Sequence, residues 1–171
     1  MAIDVTEPIF FGFVHHKTSK KTLFCGSLFQ KQDGMTTSGY SKTPLSKKLG
    51  IQEGFHIQVY NTPKKYTDFF YEFPQDVVFH TSENQESIDF IHIFATTENE
   101  LNNAFLTAKP LLKKNGVLWI SWPKKSSQMA SELDQSFVRN FGLKNGLVDV
   151  KVAAIDENWS GHKFVYRVKD R

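Results

Sequence analysis

The sequence predicts an α/β fold in three layers, with a mostly parallel sheet and a C-terminal antiparallel hairpin. Three observations carry this. Residues 88–95 and 117–122 are almost uninterrupted apolar runs, as strands buried on both faces require. Between them lies a capped helical pattern, so strands alternate with helices. Residues 147–155 and 163–168 are strand patterns joined directly by the loop 156–162, so they pair as a hairpin.

The elements follow in order. Thr43-Pro44 can start a short helix and Gly50 can end it. In residues 55–60, Phe55, Ile57 and Val59 alternate with His56, Gln58 and Tyr60, which predicts the first strand. Thr62 can cap a helix with Pro63 at its first position; Tyr66, Phe69, Phe70 and Phe73 would form one face of it, and Pro74 would stop it. Residues 76–81 read as a short strand. Parallel neighbours need a crossover of about a dozen residues, and residues 82–87 supply six, so this strand is either short and marginal or antiparallel. Thr97 and Glu100 form a capping box. The stripe Leu101, Ala104, Phe105, Ala108, Leu111 and Leu112 follows, with Pro110 kinking or ending the helix and Asn115-Gly116 closing it. After strand 117–122, Ser126 or Ser127 is the expected cap of a last helix whose buried stripe is Met129, Leu133, Phe137 and Phe141.

The first thirty-four residues are less regular. Residues 9–14 and 22–29 could form a hairpin, but Phe10, Phe11 and Phe13 do not alternate cleanly. A linker-like run follows at residues 32–39. We expect residues 1–34 to be an N-terminal extension, either an edge hairpin, a disordered appendage or an upstream stretch not normally translated, and residues 35–171 to be one domain starting near Met35.

Composition narrows the function. A chain of 171 residues that is 40% hydrophobic and 14% aromatic can bury a sizeable core. With 21 Lys and Arg against 18 Asp and Glu, the net charge of +3 is too mild to indicate nucleic acid. The single cysteine, Cys25, excludes an internal disulfide and a cysteine-rich zinc site, and a cytoplasmic location is the natural expectation. No apolar run approaches the roughly 18 residues that a membrane span needs. No histidine pair has helical metal spacing, so no metal is expected. His92, between Phe90 and Phe94, reads as a core histidine satisfied by a neighbour.

The strand order, with its final hairpin, resembles a class I methyltransferase-type Rossmann fold with one crossover deleted. Lys113-Lys114-Asn115-Gly116-Val117-Leu118-Trp119-Ile120-Ser121 is similar to the segment that leaves a helix and enters a strand in those enzymes. Gly39-Tyr40-Ser41-Lys42-Thr43-Pro44-Leu45, with Lys47-Lys48-Leu49-Gly50, resembles the opening of a small bacterial family catalogued as domain of unknown function 3052. Trp122-Pro123-Lys124-Lys125, residues 146–152 and Asp156-Glu157-Asn158-Trp159-Ser160-Gly161 are further points of similarity. The resemblance runs from about Gly39 to the C-terminus and implies a fold and a boundary, with no activity attached. In methyltransferases the first strand enters a glycine-rich turn that lets the cofactor approach the backbone. Here it enters Asn61-Thr62-Pro63-Lys64-Lys65, without glycine. Glu83 or Glu86 would be the acidic residue after the second strand. The departure at the turn implies no S-adenosylmethionine in the usual mode and no cofactor.

In open α/β sheets ligands sit beyond the carboxyl ends of the strands. That edge would collect Asn61, Thr62, Lys64, Thr97, Trp122, Lys124, Lys125, Ser126, Ser127, Asp156 and Trp159. Lysines at a helix N-terminus oppose its dipole and call for an anionic partner. We therefore expect a non-catalytic or regulatory module for a small anionic or nucleotide-like ligand. Two alternatives stay open. One is an enzyme with Asp156 or Glu157 as base and Lys124 orienting an anion; the other is a protein-interaction module.

Overall fold

The computed structural model describes residues 43–81 and 85–171. The expectations for residues 1–34, the boundary at Met35 and the role of Glu83 lie outside the described residues.

Among the described residues six strands form one sheet: β1 (His56–Tyr60), β2 (Val78–Phe79), β3 (Ile88–Phe94), β4 (Leu112–Pro123), β5 (Leu147–Ala154) and β6 (Trp159–Tyr166). Their spatial order is β2-β1-β3-β4-β6-β5. The first four are parallel, β6 is antiparallel to β4, and β5 is antiparallel to β6. β5 therefore points the same way as β4, and the short β5–β6 turn lies at the carboxyl edge. The chain has an α/β fold with a mostly parallel sheet and an antiparallel C-terminal pair.

β3 and β4 are the centre because both of their faces are apolar. Phe90, Ile91, Ile93, Phe94, Leu118, Trp119 and Ile120 have no solvent exposure. On one face, Ile91, Ile93, Leu118, Ile120 and Trp122 meet α2 (Glu98–Ala108) and α3 (Gln135–Lys144). Leu101, Ala104, Phe105 and Ala108 of α2 are buried there at helical spacing. Burying side chains as large as Leu101 and Phe105 contributes about 1.5–3 kcal/mol each. On the other face, Phe90, Phe94 and Trp119 meet α1 (Leu45–Leu49) and an aromatic cluster around Tyr66. The Trp119 indole donates to the Leu49 carbonyl at 3.0 Å, which ties the end of α1 to the central strand.

Several expectations need correction. The helix predicted from Tyr66, Phe69, Phe70 and Phe73 is only a single 3-10 turn, Tyr66–Phe69. The four aromatics cluster instead: Phe69, Phe70 and Phe73 lie with ring centroids 6.1, 5.2 and 6.3 Å from that of Tyr66. Ring-on-ring packing replaces a helical stripe. β2 is only two residues long and is parallel to β1. The short connection to β3 causes no conflict because β1 lies between the two strands.

β4 starts at Leu112, not Val117, so Asn115-Gly116 lies inside the strand. The ladder shifts register between Ile88 and Phe90 at this point. A side chain at Gly116 would meet Leu112 Cδ1 at 2.7 Å and the Lys113 carbonyl at 2.9 Å, so glycine permits the irregularity. α3 begins at Gln135 with Asp134 as its cap, not Ser126 or Ser127. Asp134 Oδ1 accepts from the Phe137 N–H at 2.8 Å. Met129 is exposed in the preceding loop, and Leu133 is buried from that loop rather than from the helix. β6 starts at Trp159, four residues before the predicted Lys163.

Candidate functional site

The carboxyl edge begins where β1 ends. Asn61 adopts φ +53°, a left-handed conformation that asparagine tolerates better than most side chains. The Thr62 hydroxyl donates to the Lys64 carbonyl at 2.6 Å and tightens the turn. The Lys64 ammonium then lies 4.1 Å from the centroid of the Phe69 ring. It is also 3.8 Å from Asp156 Oδ2 in the β5–β6 turn. This half-exposed ion pair connects the exit of β1 to the hairpin on the other side of β3 and β4.

Asp156 organises its own turn. Its Oδ1 accepts from the N–H groups of Asn158 and Trp159 at 2.9 and 2.8 Å. Lys124 closes the same turn from β4: its ammonium donates to the Asp156 carbonyl at 2.7 Å, and its N–H donates to the Asn158 carbonyl at 2.7 Å. Lys64, Asp156 and Lys124 are therefore brought together.

The two tryptophans are not part of an open lid. Trp159 is 4% exposed and stands edge-on to Phe94, with centroids 5.1 Å apart. Phe94 stacks on Phe69 at 5.4 Å. These three rings fill the sheet face beneath the edge. Trp122 belongs to the core on the other face.

Both helix N-termini near this edge carry a carboxylate of the protein itself. Thr97 and Glu100 form the capping box of α2. Glu100 Oε2 also accepts from the Thr96 N–H and hydroxyl, at 2.8 and 2.9 Å. Those bonds, with one from the Thr97 N–H, hold the Glu100 carboxyl below the ordinary glutamate range. Glu132 Oε2 accepts from the Glu98 N–H at 3.1 Å, and Asp134 caps α3. Lys124 and Lys125 thus do not flank a helix start; they lie ten and nine positions before the Asp134 cap.

A groove of about 280 Å³ opens on this side, between Lys124-Lys125 and the segment Ser131-Glu132-Leu133-Asp134, with Met129 on its wall. Lys125 and Ser126 are exposed. The Ser127 hydroxyl donates to the Lys124 carbonyl at 2.8 Å. The expected site is thus divided. Lys64, Lys124 and Asp156 form a polar bridge, and Lys124 and Lys125 border the groove. Thr97 serves its helix, Trp122 and Trp159 serve the two cores, and Asn61 and Thr62 shape their own turn.

Sequence reasoning missed the acidic wall of the groove because the start of α3 was misplaced. It also left the partners of His92 unnamed. This side chain is fully buried, with the Tyr66 hydroxyl 2.8 Å from Nδ1 and Ser121 Oγ 2.7 Å from Nε2, both hydrogen bonds. Burial lowers the His92 pKa to about 3 and raises that of Tyr66. The visible signal was Ser121, a polar residue interrupting an apolar run. Among the described residues no group of acidic, histidine or cysteine side chains could hold a metal, and no helix is long and apolar enough to cross a membrane.

Parallel β1 to β4, with the β5–β6 pair placed antiparallel beside β4, define a methyltransferase-like Rossmann fold. Two solved structures agree. A SAM-dependent methyltransferase from Aquifex aeolicus is 14% identical, with 69% of this chain and 85% of that chain covered and a TM-score of 0.51. A putative type 11 methyltransferase from Sulfolobus solfataricus is also 14% identical, with 72% and 90% covered and a TM-score of 0.52. At such identity the likeness is one of fold. Residues 70–168 match the model of the family described as Protein of unknown function (DUF3052), and the chain belongs to that family. No curated protein matches the sequence.

Proposed function

We propose that this domain is a non-catalytic binding module that uses the carboxyl-edge groove for a small anionic ligand of the phosphate or nucleotide class. One observation carries the non-catalytic part. Phe69, Phe94 and Trp159 occupy the space beneath the strand ends, and Lys64 and Asp156 bridge across it. The glycine-free turn after β1 supports the same reading, since Asn61-Thr62-Pro63 leaves less room for close backbone approach than glycines would. A groove opens at this edge, and Lys124 and Lys125 border it opposite Glu132 and Asp134. The anion is held by ammonium groups rather than by helix N-termini, because Glu132 and Asp134 already take those N–H groups.

Calorimetric titration with ATP, inorganic phosphate, S-adenosylmethionine and S-adenosylhomocysteine tests this. ATP or phosphate is expected to bind and to stabilise the fold by about 2.7 kcal/mol at a hundredfold excess over Kd. The Lys124→Ala/Lys125→Ala double variant is expected to remove that effect. Methyl transfer, tight binding of either S-adenosyl compound, or anion binding unchanged in the double variant would overturn the reading.

A further inference from the structure

Another opening lies at the amino edge of the sheet. Residues 51–53 lead into β1 and residues 72–75 lead toward β2, and the two strands run parallel. Both segments therefore lie at the end of the sheet away from the lysine-lined groove. With α1 they frame an open cavity of about 580 Å³, within the usual range for small-molecule sites. All three segments fall within the described residues 43–81. The backbone holds the walls in place. The Ile51 N–H donates to the Ser46 carbonyl at 3.0 Å, and the Gly54 N–H donates to the Gln75 carbonyl at 3.4 Å. The Trp119 indole fixes the far end of α1 through the Leu49 carbonyl.

Two independent observations point to a ligand. The first is Ser46, which is 7% exposed and lines the cavity. Its hydroxyl has no hydrogen-bond partner among the described residues, although polar groups so deeply buried are normally matched. Because Ser46 keeps access to the cavity, a bound molecule can supply the missing bond. The second is charge. Lys47, Glu53 and Glu72 line the same cavity, and none of the three forms an ion pair among the described residues. The cavity thus presents one cation and two carboxylates beside the apolar surfaces of Ile51 and Phe73. A phosphate would meet more repulsion than attraction there. A diamine would match the carboxylates but would face Lys47 as a like charge. The complementary set is one carboxylate and two cationic groups on a short apolar stem, which is the charge set of a free lysine, ornithine or arginine. Complementarity of this kind selects the partner more than it adds raw affinity.

We propose that the cavity between α1 and the segments entering β1 and β2 binds a free basic amino acid, with Lys47 taking its carboxylate and Glu53 and Glu72 its two cationic groups. This site is separate from the lysine-lined groove and independent of the reading given for that groove. Titration of the full chain with L-lysine and L-arginine, followed by amide NMR at low ionic strength, tests it, since salt screens exposed charges. At least one of the two is expected to give saturable shifts confined to residues 46–53 and 72–75. Cadaverine, which lacks the carboxylate, and norleucine, which lacks the side-chain cation, are each expected to bind roughly tenfold more weakly than lysine. Glu53→Gln/Glu72→Gln changes two exposed positions and is expected to remove lysine binding without loss of fold. Lys47→Met, also at an exposed position, is expected to erase the preference for lysine over cadaverine. Lys124→Ala/Lys125→Ala is expected to leave binding unchanged. The proposal is overturned if neither amino acid binds more tightly than about 1 mM, if cadaverine or norleucine binds as tightly as lysine, or if binding survives Glu53→Gln/Glu72→Gln.

Discussion

Lowering the pH from 7 to 5 should weaken this fold through His92. Burial between Phe90 and Phe94 disfavours the charged imidazole, so the folded-state pKa is about 3, against about 6.5 in the unfolded chain. Between those values the unfolded chain binds a proton that the folded one refuses. The contribution of His92 is therefore complete above pH 6.5 and is lost as pH falls toward 3. At pH 5 the unfolded ring is almost fully protonated, and linkage gives a loss of about 2 kcal/mol relative to pH 7. For a chain of this size that lowers Tm by roughly 4–8 °C. His162 adds to the same trend, because burial also lowers its pKa while nearby Asp149 partly restores it. The carboxyls of Glu100 and Asp149 are held below their ordinary ranges and act at more acidic pH. Urea denaturation at both pH values, on the natural chain and on His92→Gln, isolates the effect: the variant should keep only the weaker dependence due to His162. An equal loss in both proteins, or a His92 ring that titrates near 6.5 by NMR in the folded state, would refute the reasoning.

Two further outcomes concern stability. Gly161→Ala should cost about 1–3 kcal/mol in urea denaturation, because the added carbon would lie 2.7 Å from Ser121 Oγ and 2.9 Å from Ile155 Cδ1. Asp134→Ala should cost about 1 kcal/mol by removing the cap of α3, whereas Ser126→Ala with Ser127→Ala should leave that helix intact by circular dichroism.

How much the sequence revealed depended on how local the deciding interaction was. α2 was legible because Thr97 and Glu100 close its start and its stripe is complete within one segment. β3 and the second half of β4 were legible because burial on both faces leaves an unbroken apolar run. The aromatic segment after β1 was misread because Tyr66, Phe69, Phe70 and Phe73 have helical spacing, while Tyr66 actually faces His92 and rings from distant strands. α3 was misplaced because Ser126 and Ser127 offered a plausible cap, whereas the buried Leu133 and the bonds of Ser131 and Glu132 to Thr96 and Glu98 hold residues 131–134 outside the helix. The candidate edge was legible in topology, since Lys64, Lys124 and Asp156 do meet. Its openness was not, because filling by Phe69, Phe94 and Trp159 depends on contacts far apart in sequence.

The loop between β4 and α3 is fastened at both ends. Lys124 is bonded to the β5–β6 turn, and Ser131 and Glu132 are bonded to Thr96 and Glu98 at the head of α2. Between the anchors Ser127 folds back on Lys124. A loop tied in this way has spent its ordering entropy during folding, before any ligand arrives. The groove it borders works as a fixed jaw rather than a closing hand. It selects by the size and charge of what already fits, and association there should proceed without a slow conformational step.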